Sequence, residues 1–176
     1  VSARFSIACV EELSGAALRR TAINGDGEPV VRIGDLEDVV SSLRGKVEFE
    51  VSQEGSEVEI LTLLARQATA ASWRALLGGQ STRVFLTNLV DWFDAGNTLA
   101  TSDLMSSASI LEAIGPMEGV GSLLTATEAQ MAESPGLVAS CLEFATEGLW
   151  LTRRIDKDQQ DGTSTYGSSA TEVPGN

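Results

Sequence analysis

Apolar residues recur every three or four positions along most of this chain, and the segments with this spacing end at glycine or asparagine. Phe5, Cys9 and Leu13 show the spacing in the first segment, which begins near Ser2 and ends near Asn24. Side chains spaced in this way share one face of an α-helix, whereas a half-buried strand needs apolar residues at every second position. The spacing therefore predicts a mostly α-helical fold.

The same spacing predicts further helices later in the chain. They cover residues 36–44, 56–77, 84–94, 107–115 and 117–124, and a last helix runs from 135 to about 155. Asp35 is expected to cap the second helix, because its carboxylate can accept an unpaired N–H group of the first turn. Ser134 followed by Pro135 marks the start of the last helix, since proline suits the first helical position.

Two stretches lack helical spacing. Residues 46–52 alternate apolar and polar side chains, which indicates an extended or strand-like segment. Residues 157–176 are almost wholly polar or small, so their burial would not offset the entropy lost on ordering them. The sequence therefore predicts a small helical domain over 1–50, an α-helical C-terminal domain over 51–156 and a disordered tail over 157–176.

A formal net charge of −13 and the absence of histidine limit the functions open to this chain. Without histidine, Ser-His or Cys-His catalysis and zinc binding through imidazole are excluded within these residues. Neither nucleic acid nor a membrane is expected as a partner, since both need clustered Lys and Arg side chains. A single local phosphate site remains open.

The sequence also predicts a cytoplasmic location. No apolar run approaches the roughly 20 residues that span a bilayer. No secretion leader is recognised, although the chain starts at Val1 and a leader could have been removed. Cys9 and Cys141 lie in apolar helical patterns and are expected to be buried thiols, because two cysteines are too few for a disulfide framework.

Several catalytic motifs are absent from these residues. The chain has no G-x-x-x-x-G-K-[ST] loop, so this segment alone is not expected to bind and hydrolyse a nucleotide by the P-loop route. It also lacks C-x-x-C and G-x-S-x-G patterns. No catalytic residue and no metal ligand are assigned, and the acidic cluster is interpreted as a solvated face; its members are Glu48, Glu50, Glu54, Glu57 and Glu59.

A set of short motifs in the first 50 residues carries a family resemblance. They are Ser2-Ala3-Arg4, Arg19-Arg20, Asn24-Gly25, Val30-Val31 and the acidic run 35–38. This pattern resembles the helical lid that follows the ATPase core in AAA+ proteins of the magnesium-chelatase and MoxR-like branch. Many of those relatives have proline where this chain has Ala3. The remaining residues, ending in "LEFATEGLWLTRRIDKD", look like the C-terminal extension of the same branch.

The resemblance implies a role for Arg4. It corresponds to the sensor-2 arginine, which reaches the γ-phosphate of a bound nucleotide. ATP and Mg²⁺ would then be bound by the full-length protein and not by this segment alone. The implied partners are the protein's own N-terminal ATPase core, neighbouring subunits of a ring and an unknown protein that the motor acts on.

Elementary electrostatics agrees with that role. A helix N-terminus carries partial positive charge, so an arginine in the first turn is disfavoured by roughly 0.3–1 kcal/mol unless an anion lies nearby. A γ-phosphate would reverse the sign, because exposed N–H groups and a guanidinium both bind phosphate oxygens. Two alternatives stay open: an exposed Arg4 without a ligand, and a free-standing helical interaction module without nucleotide chemistry.

Two arginines and three tryptophans are expected to have structural roles and not to bind a ligand. Arg19 and Arg20 are expected to be solvated or paired with carboxylates of the same small domain, with a subunit interface as the alternative. Core packing is predicted for Trp73, Trp92 and Trp150. For Trp92 with the adjacent Phe93, contact with a partner is the alternative.

Overall fold

The computed structural model of this chain describes residues 3–43, 47, 49, 55–102, 105–129 and 134–169, and of residues 37, 38, 41 and 42 only the backbone. The helices are α1 (Ala3–Asn24), α2 (Ile33–Leu43), α3 (Glu57–Leu77), α4 (Arg83–Asp94), α5 (Ser107–Ile114), α6 (Val120–Ala126) and α7 (Pro135–Leu151). The strands are β1 (Leu99–Ser102), β2 (Asp156–Gln160) and β3 (Thr163–Gly167). The prediction of a mostly α-helical fold is confirmed.

Local capping signals place several helix ends close to the predicted positions. The Oγ atom of Ser134 accepts a hydrogen bond from the backbone N–H of Leu137 at 3.3 Å, and Pro135 opens α7 as expected. Gly78 caps α3, and its N–H bonds the carbonyl of Arg74 at 3.1 Å. These contacts lie within a few residues of each other, which is why sequence spacing locates them.

The predicted cap of the second helix is wrong in detail. The helix begins at Ile33, so Asp35 lies in its first turn and does not precede it. The Asp35 carboxylate instead reaches back and accepts the backbone N–H of Arg32 at 2.7 Å. A carboxylate at the third helical position can satisfy the N–H group just before the helix, as in a capping box.

The predicted disordered tail is wrong for residues 157–169. β3 pairs with both β1 and β2 in an antiparallel sheet of order β1-β3-β2. Asp161 and Gly162 join β2 to β3 with φ angles of 49° and 75°, which is the conformation that Asp-Gly adopts in a two-residue hairpin turn. Alternate β3 residues Ser164 and Tyr166 are buried against the helices. Residues 170–176 of the predicted tail lie outside the described ranges.

The last helix ends earlier than the apolar spacing predicts. α7 stops at Leu151, and Arg153 has a φ of 60°, which turns the chain away from the helix axis. Ile155 is nevertheless fully buried, because the turn carries it back onto the core. The predicted extended segment 46–52 and the boundary between 50 and 51 lie outside the described ranges, except that Val47 and Phe49 pack half-buried against the first helices.

Two groups of buried apolar side chains hold these elements together. The smaller joins α1, α2 and the start of α3. The larger surrounds α7, where Trp73 packs directly on Gly148 and donates its indole N–H to the carbonyl of Ala145 at 3.2 Å. In the described part of the chain, no helix has the length and apolar content needed to cross a membrane.

The three tryptophans belong to the larger core. Trp73 is buried, whereas Trp92 and Trp150 are half-buried against the other core residues. Phe93 is fully buried and meets the Trp92 ring edge-on at 5.1 Å between centroids. Core packing is therefore confirmed for all three, and Phe93 is not exposed for contact with a partner.

Candidate functional site

Arg4 lies exposed in the first turn of α1. That turn contains no acidic residue, and among the described residues Arg4 has no ion-pair partner. Its guanidinium is therefore accessible to a ligand next to the backbone N–H groups that a helix start leaves unpaired. Ser2, the first residue of the same motif, lies outside the described ranges.

An apolar stripe runs along the outward face of α1, starting one turn beyond Arg4. Ile7, Val10 and Leu18 are 58%, 64% and 58% exposed. Ser14 falls in the same row but directs its hydroxyl to the carbonyl of Val10 at 2.7 Å, so it presents little polar surface. The opposite face of α1 packs on α2, which leaves this helix apolar on two sides.

Arg20 is buried in an ion pair on the inner side of α1. It is only 3% exposed, and its Nε and Nη2 atoms donate to the two carboxylate oxygens of Asp35 at 3.2 and 3.1 Å. Nη2 also donates to the carbonyl of Val30, and Nη1 lies 3.8 Å from Asp26. The predicted pairing with carboxylates of the small domain is confirmed for Arg20, and the solvated alternative is wrong for it; Arg19 is exposed.

A second buried ion pair joins the start of α2 to the middle of α7. Nε and Nη2 of Arg32 donate to Oε2 and Oε1 of Glu143 at 2.7 and 2.5 Å, and Nη1 donates to the carbonyl of Met105 at 2.7 Å. Burial raises the pKa of Glu143, against the opposing effect of Arg32. Burial, the largest single effect, would lower the pKa of Arg32, but the hydrogen bond and charge of Glu143 together with the charges of Asp35 and Asp26 raise that pKa overall.

Polar contacts around this pair tie the α1–α2 connection to the C-terminal helices. Asp26 accepts the backbone N–H of Ser107 at 3.2 Å and its hydroxyl at 2.9 Å, at the start of α5. Ser140 of α7 donates to the carbonyl of Val31 at 2.7 Å. In the described part of the chain, every buried side-chain nitrogen and oxygen has a hydrogen-bond partner.

A polar cleft of about 180 Å³ lies beside these charges. Its lining includes Arg20, Arg32, Asp35 and Glu143, together with Thr101 and Ser164 of the sheet. Each of the two guanidiniums is already bound to a carboxylate, so neither is available to bind an anionic ligand. The arrangement therefore fixes the position of α1 and α2 on α7 and is not a ligand site in itself.

Two members of the acidic cluster, Glu57 and Glu59, lie within the residues that the structure describes. Among the residues that the structure describes, no group of three or more Asp, Glu or Cys side chains is placed to hold a metal ion. Of the acidic cluster, Glu48, Glu50 and Glu54 lie outside the described ranges, while Glu59 is exposed on α3. The solvated interpretation is thus supported for Glu59.

The two cysteines differ in their surroundings. Cys141 is a buried thiol on α7 and Cys9 is a half-buried thiol on α1, and the two are not joined in a disulfide. Burial raises the pKa of Cys141, although a hydrogen-bond contact of 3.3 Å with Thr127 Oγ1 acts in the opposite direction. The prediction of buried thiols is thus confirmed for Cys141 and only partly for Cys9.

Sequence reasoning missed Arg32 and the acidic residues of α7. Glu143 and Glu147 stand one turn apart in the otherwise apolar run "LVASCLEFATEGLWL", and both are buried. Glu147 accepts the hydroxyl of Tyr166 at 2.6 Å and the ammonium of Lys157 at 3.1 Å. Two carboxylates in an apolar helix are the signal that could have revealed buried cationic partners, since a buried charge needs a partner.

No protein-family model, curated protein or solved structure matches this chain. The resemblance of residues 1–50 to AAA+ lids therefore depends on the short motifs around Arg4, Arg20 and Asp35. Two of those residues, Arg20 and Asp35, form a buried ion pair, and Arg4 is exposed at the start of the same helix as Arg20. The first two thus have a structural role, whereas Arg4 is exposed and makes no ion pair with the described residues.

Proposed function

We propose that this chain is the lid and C-terminal helical region of an AAA+ ATPase similar to magnesium-chelatase and MoxR-like subunits. In that role Arg4 contacts the γ-phosphate of ATP, which with Mg²⁺ is bound by the N-terminal ATPase core of the same subunit or of a neighbouring subunit of the ring. The observation that carries the proposal is the exposed Arg4 in a first helical turn without a carboxylate. That position is electrostatically unfavourable for a cation until a phosphate binds.

The outward face of α1 supports the same proposal. Ile7, Val10 and Leu18 form an exposed apolar row on the helix that begins with Arg4. Burying such a row against another unit would contribute favourably by roughly 25 cal/mol per Å² of apolar surface. The ATPase core is the proposed occupant, because the surface that delivers a phosphate to Arg4 must also lie beside this face.

A buried ion pair and a part-buried hydrogen bond supply a means of relaying the nucleotide state. Arg32 with Glu143, and Asp26 with Ser107, connect the α1–α2 region to α7 and α5. A movement of α1 after loss of the γ-phosphate would therefore carry the C-terminal helices with it. Neighbouring subunits of a ring, or the protein on which the motor acts, would receive that movement.

The test uses the full-length protein with its expected ATPase core. Arg4→Ala should reduce ATP turnover or ATP affinity by about 10- to 100-fold, the value of one charge-assisted hydrogen bond to phosphate. Arg4→Lys should retain part of the activity, because it keeps the charge but not the two-pronged geometry. Arg19→Ala, an exposed change on the same helix, is the matched control. Unchanged turnover and affinity in Arg4→Ala would exclude the sensor role.

The second candidate is a free-standing helical interaction module without nucleotide chemistry. Exposed apolar side chains on two helices favour it, namely Ile7, Val10 and Leu18 of α1 and Leu63 and Leu64 of α3. The reading frame of the natural protein discriminates between the two functions. A phosphate-binding P-loop encoded upstream of Val1 excludes the free-standing module, and a start codon directly before Val1 excludes the ATPase lid.

A further inference from the structure

Five exposed arginines lie around two adjoining grooves, although the chain as a whole carries 25 acidic and only 12 basic residues. The first, here called the Trp150 groove, has a volume of about 440 Å³ and is lined by Arg66, Arg74 and Arg153. The second, the Trp73 groove, has a volume of about 400 Å³ and is lined by Arg83 and Arg154. This concentration of positive charge is not visible in the sequence, since the first and last of the five residues, Arg66 and Arg154, are 88 positions apart.

The turn after α7 directs successive side chains into alternate grooves. Leu151 and Arg153 line the Trp150 groove, while Thr152 and Arg154 line the Trp73 groove. The N–H groups of Arg153 and Arg154 bond the carbonyls of Trp150 and Leu149 at 2.8 and 2.9 Å, which is the Schellman pattern of a helix end.

Arg153 occupies a backbone position that normally belongs to glycine. In a Schellman motif the residue after the cap is left-handed, and Arg153 has the corresponding φ of 60°. Any side chain with a Cβ atom is less stable there than glycine. An arginine in this position is a backbone outlier of the kind that is found at functional sites.

The charge on these arginines is not neutralised within the described residues. Arg74, Arg83, Arg153 and Arg154 have no carboxylate partner there, and Arg66 lies over the Trp150 ring at 4.9 Å. The helix dipole favours a cation at the position of Arg74, because this residue lies in the last turn of α3. A helix dipole does not account for Arg66 in the middle of α3, or for Arg83, which is the first residue of α4, where the helix dipole disfavours a cation.

We propose that the two grooves bind an acidic peptide segment of a partner protein, with apolar residues that anchor it. The arginines at the groove edges would bind its carboxylates, and the apolar lining would receive its apolar side chains. In the Trp150 groove that lining consists of the exposed Leu63 and the half-buried Trp150 and Leu151, whereas Leu77 and Leu86 beneath the Trp73 groove are buried. The interaction is independent of Arg4 and of nucleotide binding.

Charge and size favour a peptide over a nucleic acid. A net charge of −13 repels a long polyanion at a distance, whereas a short acidic segment meets mainly the local arginines. α3 contributes residues from Leu63 to Leu77 to the two grooves. At 1.5 Å per helical residue this is roughly 20 Å, enough for about six extended peptide residues.

The probe is a fluorescein-labelled peptide of about twelve residues in which Asp and Glu alternate with Leu and Trp. Fluorescence anisotropy should show saturable binding that weakens as NaCl rises from about 50 to about 300 mM. Arg74→Glu combined with Arg153→Glu should weaken binding at least about tenfold, since it replaces attraction by repulsion. Arg19→Glu, a charge reversal at an exposed position of α1 away from both grooves, should leave the affinity nearly unchanged.

The variant Arg153→Gly distinguishes a loss of peptide binding from a loss of stability. Glycine suits the left-handed position, so this variant should raise Tm, by about 2–4 °C for a chain of this size, while it weakens peptide binding several-fold. Equal affinity in wild type, Arg153→Gly and the double charge-reversal variant would overturn the proposal. Tighter binding of an oligonucleotide with the same number of charges would also overturn it. Neither result would test the proposed ATPase role, which is tested separately by the effect of Arg4→Ala on ATP turnover.

Discussion

The guanidinium of Arg32 and the carboxylate of Glu143, 111 positions apart in the chain, form a two-pronged ion pair at 2.7 and 2.5 Å. Glu143 is only 4% exposed, and it projects from the mainly apolar helix α7. The pair joins the start of α2 to the middle of α7. Its integrity should therefore contribute to the stability of the fold.

Removal of one partner should be strongly destabilising. Glu143→Ala leaves the guanidinium of Arg32 buried without its carboxylate, so the free energy of unfolding should fall by about 3–5 kcal/mol. The double variant Glu143→Leu with Arg32→Met should recover much of this loss, because it leaves no buried charge. Urea unfolding measures both, and Glu112→Ala on the exposed side of α5 is the control. If Glu143→Ala lowers the free energy of unfolding no more than Glu112→Ala does, the Arg32–Glu143 pair does not stabilise the fold.

Gly148 should not tolerate even a methyl group. A Cβ atom there would lie 1.9 Å from Cδ1 of the buried Trp73, so Gly148→Ala must displace the indole and should destabilise by at least about 1–3 kcal/mol. The matched control is Gly15→Ala in α1, where a Cβ meets nothing within 4 Å. That change should stabilise by about 0.5–1 kcal/mol, because alanine favours helices. Thermal unfolding of the two variants should thus give shifts of opposite sign, and equal shifts would contradict the packing described here.

The two thiols should react at very different rates. Burial raises the pKa of Cys141 and also blocks access to it, so alkylation by iodoacetamide at pH 8 should be at least about 100-fold slower than at Cys9. In urea the two rates should converge. The raised pKa means that burial of the neutral thiol contributes to stability below the ordinary thiol pKa, and that this contribution is lost as pH rises through the folded value. Fast alkylation of Cys141 in the folded protein would show that α7 is not packed as described.

The C-terminal hairpin should contribute to stability through Tyr166. Its hydroxyl donates to the buried Glu147 at 2.6 Å, so Tyr166→Phe should cost about 1–3 kcal/mol in the free energy of unfolding. Ser168→Ala, which removes an exposed hydrogen bond to Asp94, should change it by less than about 0.5 kcal/mol. If the hairpin were disordered, Tyr166→Phe and Ser168→Ala would both change the free energy of unfolding by the same small amount.

Local sequence patterns are sufficient to predict the helices and the positions of some of their ends. The start of α7 at Ser134 and Pro135 and the end of α3 at Gly78 depend on contacts within a few residues, and the printed sequence contains all of them. The cap of α2 was misplaced, although the correct residue, Asp35, was identified. Its carboxylate can satisfy an N–H group from either side of the helix start, and the sequence does not say which.

The hairpin of β2 and β3 was missed because its strands are almost wholly polar. Its stability comes from β1, which precedes it by more than 50 positions, and from the contact of Tyr166 with Glu147. The turn at Asp161-Gly162 was the available local signal. A polar strand can be ordered when elements distant in the sequence supply its hydrogen bonds, and amino-acid composition alone does not predict these bonds.

Spacing and capping residues, which act over one or two helical turns, thus account for the helical class and for the exposed Arg4 at the start of α1. The partners of Arg20, Arg32 and Glu147, and the gathering of five arginines around two grooves, required the folded chain. These groups meet only after helices from both ends of the protein pack together. The free energy of such contacts depends on burial and charge in the assembled core, to which residues distant in sequence contribute jointly.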